Sequence, residues 1–394
     1  MAELKYALDG NPASEQLEFV ERSLRNSFAI SAVQMADGGL VIEHADSESA
    51  DAIRAMTRRF LFVARSINKD LVFHNDVAIR YVEDPQPQLE RTREVIPIQP
   101  GFYTLQGDFL RVFHAINRRV RAMADEVGAI EQEYPAVWPV RLFKQIDYFH
   151  EFPQQVILCA PVKDDFASRS EFAKRYAKSE DFESVPMDGL MADATYGLEP
   201  AVCDCCYYSL EGMQAIEDAY YTCYNKVFRN ERSATNRLDR LTNFSVRDIM
   251  YVGTEAFVLE AREKLIDLLS AFLVELQLHA KIETANDPFF ANESAMKSVF
   301  QNAHRLKYEL LATIPHLGRE IAVGSVNLHT DFFGRAFDIR LPDGKPASSG
   351  CIGVGMERMT YALFCQHGPT LDTWPDAVLD YLGVARRPRA GNGA

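Results

Sequence analysis

The sequence predicts an α+β fold in which hairpin-paired strands and amphipathic helices share a core. Three observations predict it. Residues 201–252 are dense in strand formers and include a hairpin, 224–231 returning as 244–252. Two stretches, 108–128 and 254–279, repeat apolar residues at helical spacing. A glycine-rich strand runs straight into a helix at Gly353-Val354-Gly355-Met356-Glu357-Arg358.

Taken in order, residues 1–95 read as a small α/β unit of unassigned role. Residues 28–33 are strand-like, Asp37-Gly38-Gly39 turns the chain, and 40–43 returns. Asp46 or Ser47 caps a helix over 48–68, with Ile53, Met56, Phe60, Val63 and Ile67 on one face. Residues 71–74 and 77–82 read as further strands, and Pro85-Gln86-Pro87 as a boundary. A second region, 96–380, follows. Its first helix, 108–128, carries Phe109, Val112, Phe113, Ile116, Val120, Met123 and Val127 inward and stops at Gly128. A strand is expected over 137–143, a charged helix over 164–183, strands over 201–252, and a last helix over 357–367 ending at Gly368-Pro369. Residues 381–394 read as a disordered tail rich in Gly, Pro and Arg.

The chain has 394 residues and a formal net charge of -14. Such a surface repels phosphate backbones unless it carries a local basic patch, and the basic runs here are short, Arg118-Arg119-Val120-Arg121 and Arg386-Arg387-Pro388-Arg389. Binding of tRNA is therefore disfavoured. Met1-Ala2-Glu3-Leu4-Lys5 lacks the apolar run of a signal peptide, and no stretch reaches the ~20 apolar residues that span a bilayer. Seven cysteines without framework spacing suit a reducing, cytoplasmic setting better than a disulfide scaffold.

Two segments carry chemistry. Along the hairpin, alternation sets Val227, Arg229 and Glu231 on one face and Phe228 on the other. Arg229 offers a planar fork for a phosphate, and Glu231 an acceptor for an exocyclic amine. An ordinary solvent-facing Arg–Glu pair is the plainer reading of the hairpin alone. At the second segment, Gly353 and Gly355 let backbone approach a ligand, and Arg358 sits in the first helical turn, where the helix dipole disfavours a cation. That conflict suggests a role outside the helix; a glycine-rich turn that simply starts a helix, with Met359, Ala362 and Leu363 packing inward, is an equal reading of this segment alone. His329 and Asp331, an H-x-D pair at strand spacing, could line the pocket, but satisfied polar residues at a sheet end are the plainer reading, and Tyr207 and Tyr208 read as core.

With both segments in view, the chain resembles the catalytic core of the atypical, zinc-dependent seryl-tRNA synthetases. It is more similar still to their shortened relatives, the amino acid:carrier protein ligases. The likeness covers roughly residues 100–370 and includes Pro200-Ala201-Val202-Cys203, the Arg229/Glu231 hairpin, Ala285-Asn286-Asp287-Pro288-Phe289-Phe290, Lys307-Tyr308-Glu309-Leu310-Leu311 and Gly350-Cys351 through Arg358. It implies a class II aminoacyl-tRNA synthetase-like antiparallel sheet flanked by helices. It also implies a homodimer formed through the 108–128 helix and the strand around Pro139. The implied activity forms an adenylate of a small amino acid from ATP with Mg²⁺, then passes the aminoacyl group to the phosphopantetheine thiol of a carrier protein. ATP contacts carry over to Arg229, Glu231, Arg240, Leu241, Glu320, Ala322, Val323, Gly324, Ser325 and Arg358, with Arg229 and Arg358 catalytic. The zinc ligands of the family, cysteine, glutamate and cysteine, fall on Cys203, Asp248 and Cys351. Three protein ligands leave a fourth position for the substrate amine, which places Asp248 beside the substrate.

The sequence departs from that pattern in two places. Asp248 is one methylene shorter than glutamate, and Val323 stands where the seryl enzymes carry a serine near Mg²⁺. Strand alternation would put Cys205 on the face of Cys203, as an extra or replacement ligand, whereas burial as small hydrophobes is the plainer reading of these cysteines. The alternatives are an aminoacyl-tRNA synthetase, a catalytically degenerate paralogue that binds or regulates a partner, and an acyltransferase built on Cys351, for which no base stands in an obvious relation.

Overall fold

The computed structural model describes all residues except 9, 11, 37, 66–68, 180–185, 232–236, 288–293 and 388–394. Its centre is an eight-stranded sheet. From one edge the strands are Leu71–Asn75, Ala280–Thr284, Lys307–Ile314, Arg319–Thr330, Ser348–Gly355, Asn243–Gly253, Ala219–Phe228 and Ile130–Glu131. Every pairing is antiparallel except the last, which is parallel. The expected hairpin is present, with Phe228 opposite Asn243 and Ala219 opposite Val252.

Period-two geometry divides the sheet into two faces. Along Asn243–Gly253, Ile249 and Tyr251 enter one core and Met250 and Val252 enter another. The first core lies under the helices Gly107–Glu126, Glu255–Glu275 and Met356–His367, where Phe109 stacks on Phe364 at 5.2 Å. These helices start and stop as their residues dictate. Thr254 caps the second by accepting from the Phe257 amide, and Gly128 and Gly368 take positive φ beyond the ends of the other two. The second core, around Trp138, Phe143, Tyr207 and Phe333, covers only part of the opposite face, and the uncovered part is a cleft.

The chain differs from expectation at several elements. Residues 202–209 are not strand but the helix Val202–Ser209; Val202 through Tyr207 are all buried, and that burial overrides the strand propensity of the run. The 137–143 segment splits into the strand Val137–Pro139 and the helix Val140–Gln145, because Pro139 ends the ladder at the N-cap of the helix. Residues 77–82 form no strand; the amides of Arg80 and Tyr81 bond instead to the Gln366 carbonyl. Pro85-Gln86-Pro87 is not a boundary but the start of the helix Gln86–Arg91, where proline costs no hydrogen bond.

The N-terminal unit is consequently smaller than residues 1–95. It has its own sheet, in the order Ala2–Ala7, Gly39–His44, Ile30–Ala36, and its own core of Val20, Leu24, Ile42, Ile53 and Phe60. Its helix Ala50–Ala64 is capped by Ser49 rather than by Asp46 or Ser47. Leu71–Asn75 already belongs to the central sheet through Phe73 opposite Ile282. At the other end, residues 381–387 are not a tail. Arg386 donates to the carbonyls of Leu371 and Trp374 and pairs with Asp376, while Arg387 pairs with Asp108 at 2.9 Å. The remainder of the expected tail lies outside the described residues.

Candidate functional site

The uncovered sheet face forms a cleft of about 1650 Å³. One end holds arginines. Arg229, just past the end of Ala219–Phe228, donates from Nε to the Pro200 carbonyl at 3.1 Å and lies over the Phe244 ring at 5.5 Å. Glu231 accepts from Nε of Arg240 at 2.7 Å. Arg358, in the first turn of Met356–His367, donates to the Ala322 carbonyl at 3.3 Å. Burial holds the Arg358 guanidinium below its usual range; Glu231 opposes that, and Arg229 and Arg240 reinforce it. The structure thus gathers Arg229, Glu231, Arg240 and Arg358 into one field. Part of the hairpin loop, 232–236, lies outside the described residues.

Glu357, beside Arg358, faces a different way. Its carboxylate accepts from the amide and hydroxyl of Ser245 at 2.7 and 3.0 Å and pairs with Lys226 at 3.3 Å. These bonds fasten the helix start to the hairpin.

The Arg319–Thr330 strand supplies the floor, but not with every expected side chain. Leu310 and Leu311 stand opposite Gly324 and Ala322, so Val323 is an extra, bulged residue. Its side chain joins the core under the helices, and Gly324 is paired there with Leu310 and Val354, both core residues. Ala322 and Ser325 take the cleft face, where Ser325 stands opposite Gly353. Glu320 pairs with Lys281 at 2.9 Å, and Leu241 is buried against the cleft wall. A pair the sequence reading missed, Lys307 with Asp287, also lines the cleft. Both residues stand in quoted segments, yet only the fold brings them together; residues 288–290 of that loop lie outside the described residues.

The other end holds buried thiols. Sγ of Cys203 and Cys351 and a ring nitrogen of His329 lie within 4.8 Å of one another. The contact between the two thiols raises the pKa of Cys203 and lowers that of Cys351, and Sγ of Cys203 also donates to Oδ1 of Asp204 at 3.7 Å. Nδ2 of Asn327 is 3.5 Å from Sγ of Cys351, and Nε2 of His329 is 3.9 Å from it. His329 was read as a satisfied polar residue at a sheet end; instead it points into this cluster, while Asp331 pairs with Arg335 as that reading expected.

Carboxyl groups crowd the same end. Burial, then the Cys351 charge, pushes the Asp204 carboxyl up to about 7. Burial, then Cys351 and Asp204, raises Asp248 well above the usual carboxylate range. Two sulfurs and an imidazole nitrogen are soft and borderline donors, so the donor set fits a soft divalent metal. Asp248 is nearby but is not in the close donor group that His329 completes. Cys205 does not share the face of Cys203. Two residues along a helix turn the side chain by about 200°, and Cys205 lies instead near Glu199 and Cys223.

Gly350 and Gly353 explain why this strand carries glycine. A Cβ at Gly353 would lie 2.5 Å from Oδ1 of Asp248. A Cβ at Gly350 would overlap the buried Tyr251 ring and come within 2.6 Å of the Asn327 carbonyl oxygen, which already accepts from the Tyr251 hydroxyl. Gly350→Ala is expected to cost about 1–3 kcal/mol by overpacking, read as a lower urea midpoint with unchanged slope.

No protein-family model matches the chain. Over 164 residues it is 37% identical to amino acid–acyl-carrier-protein ligase 1 of Bradyrhizobium diazoefficiens, 42% of this chain and 50% of that protein. A second ligase of that organism is 37% identical over 167 residues. The chain thus spans about half the length of these curated relatives in the matched region. Similarity to the type-2 serine–tRNA ligase of Methanothermobacter thermautotrophicus is lower, 23%, but covers 89% of this chain and 69% of that one. Among solved structures, the M. kandleri seryl-tRNA synthetase in complex with A. aeolicus tRNASec superposes with a TM-score of 0.69 over 99% of this chain and 80% of that one, at 17% identity. A cytoplasmic serine–tRNA ligase from Naegleria fowleri in complex with AMP gives 0.61, at 12% identity, over 86% of this chain and 71% of that one. The chain is therefore similar in sequence to ligases, those that act on amino acids and acyl carrier protein and those named for serine and tRNA, and it carries the class II seryl-tRNA synthetase fold.

Proposed function

We propose that this chain is an ATP-dependent ligase that activates a small amino acid as its adenylate and transfers the aminoacyl group to the phosphopantetheine thiol of a carrier protein. The observation that carries this reading is a single cleft in which Arg229, Arg240 and Arg358 outnumber the nearby carboxylates Glu231 and Asp239 at one end and a thiol–imidazole cluster stands at the other. Excess cation suits a triphosphate, and soft donors suit Zn²⁺. The names of the relatives support the acyl acceptor.

In this reading Arg229 and Arg358 hold the phosphates, Arg240 keeps Glu231 in place, and Glu231 takes the adenine amine. Ala322 and Ser325 line the nucleotide floor, and Val323 and Gly324 contribute backbone only. Leu241 backs the wall, and Mg²⁺ accompanies the phosphates with Glu320 nearby. Cys203 and Cys351 would hold Zn²⁺, which when bound supplies a Lewis-acidic position for the substrate amine, and Asp248 stands beside that position. Rate enhancement then comes from positioning and charge stabilisation. We also infer a homodimer; Val137 and Tyr196, both exposed on one face of the small sheet that contains Pro139, supply apolar surface for it.

The similarity to serine–tRNA ligases over most of the chain favours a second reading, transfer to tRNA. Against it stands the net charge of -14. ATP–pyrophosphate exchange across a panel of amino acids tests the common step, and transfer to holo carrier protein or to total tRNA separates the two. Exchange with a small amino acid and transfer to the carrier are expected. Absence of exchange with every amino acid, in zinc-replete protein, would sink both readings.

A further inference from the structure

We infer that the third protein ligand of the metal is His329, and that Asp248 is left outside the coordination shell to face the substrate amine. The inference rests on the zinc reading above and assigns its ligands.

The backbone aims His329 at the thiols. Along the pairing with Ser348–Gly355, Asn327 stands opposite Cys351 and Leu328 opposite Gly350, but the next pair is Thr330 with Ser349. His329 is therefore the extra residue of a bulge, and Thr330 beyond it takes a φ of 52°. Bulges re-aim a side chain without ending the strand. The imidazole is then clamped edge-on between Tyr207, at 5.4 Å, and Phe333, at 4.9 Å. Tyr207 is itself fixed by its hydroxyl on the Gly350 carbonyl at 2.8 Å and by stacking on Phe333. Nε2 so held is 3.9 Å from Sγ of Cys351. Metal–ligand bonds of tetrahedral zinc imply about 3.6 Å between such a nitrogen and sulfur. A shift of a few tenths of an ångström completes the set.

Asp248 is placed otherwise. It stands directly across from Gly353, and its Oδ1 lies over that glycine's bare Cα. The Cys203 amide bonds to its carboxylate. A short side chain held this way does not reach the donor group. Charge counting agrees. Two thiolates and a neutral imidazole balance a dication, whereas a third anionic ligand would leave net negative charge in a pocket that already buries Asp204. Two thiolates and one imidazole with an open position is also a ligand set of catalytic zinc.

The test compares the full-length wild type with His329→Ala, His329→Cys and Asp248→Asn, loaded with Co²⁺ and titrated against a competing chelator. The wild type is expected to bind one Co²⁺ with a tetrahedral visible spectrum and sulfur-to-cobalt bands. Losing a direct ligand should weaken binding at least as much as the 10–100-fold typical of outer-shell changes, so His329→Ala is expected to bind ~100-fold more weakly or worse. His329→Cys should restore binding with sulfur-to-cobalt intensity raised by about half, the ratio of three thiolates to two. Asp248→Asn should hold Co²⁺ within tenfold of wild type and raise the amino acid KM in exchange. If Asp248→Asn costs as much affinity as His329→Ala or more, the assignment is overturned while the zinc reading stands. If the wild type binds neither Co²⁺ nor Zn²⁺, the zinc reading falls and the assignment with it. Should His329→Ala fail to fold, the intensity in His329→Cys decides: an unchanged sulfur-to-cobalt band overturns the assignment.

Discussion

Arg358→Ala is expected to slow ATP–pyrophosphate exchange by about 10²–10³, the usual loss when one preorganised donor to a reacting centre is removed, and to leave thermal stability unchanged or higher. The second half of that expectation separates a ligand-binding arginine from a structural one. Among the described residues Arg358 makes one hydrogen bond, to the Ala322 carbonyl. Against that bond stand its burial and the like charges of Arg229 and Arg240, which Glu231 and then Asp239 offset. Its place in the first turn of Met356–His367 adds an unfavourable dipole term. A residue that costs the free protein in three ways calls for a partner that the free protein lacks, and in the proposed function a triphosphate would supply the missing charge. Exchange rates beside thermal melts, with and without ATP, check this. A melting temperature several degrees lower, with exchange intact, would make Arg358 a structural residue and remove the arginine cluster as a nucleotide site.

Much of this was legible in the sequence, for reasons that differ from element to element. The hairpin and the strand-to-helix turn announced themselves through short-range patterns, although the first hairpin strand ends at Phe228, before Arg229 and Glu231. The helices Gly107–Glu126 and Glu255–Glu275 followed from helical spacing and caps. What failed depended on tertiary burial or ladder irregularity. Cys203-Asp204-Cys205-Cys206 resembles a strand locally, and only burial on every side makes it a helix and turns Cys205 away from the cleft. The family resemblance places Val323 at the nucleotide, but a bulge that the sequence does not mark puts its side chain in the core. The plainer reading of His329, a satisfied polar residue, fails because Cys351 is 22 residues away and the second bulge that joins them leaves no local mark. Leu71–Asn75 was assigned to the N-terminal unit, because nothing near it reveals that its partner begins at Ala280.

Glu357→Ala should reverse the Arg358 pattern and reduce stability first, by about 2–4 kcal/mol, from the loss of hydrogen bonds to a buried charge and the donors this orphans. Glu357 is 4% exposed and Ser245 fully buried, so the Ser245 amide and hydroxyl would lose their acceptor with no water to replace it. Lys226 contributes little to the estimate; its side chain is 47% exposed and rehydrates. The carboxylate also sits in the first helical turn, where its charge complements the dipole that Arg358 opposes. Glu357→Gln keeps one acceptor oxygen but sets an amide against the second donor, and should fall between wild type and alanine. Urea unfolding of the three proteins measures the order directly, and an alanine variant within 0.5 kcal/mol of wild type would refute it. The two neighbours thus divide the labour of one turn. Glu357 ties the helix start to the hairpin that ends at Arg229, and so fixes the spacing between the two arginines that Arg358 completes. Exchange activity in Glu357→Ala should therefore fall as well, in proportion to how far the hairpin and the helix drift apart, and should recover partly at saturating ATP, where in the proposed function the nucleotide would bridge both. Arg358→Ala removes the contact itself and should show no such recovery.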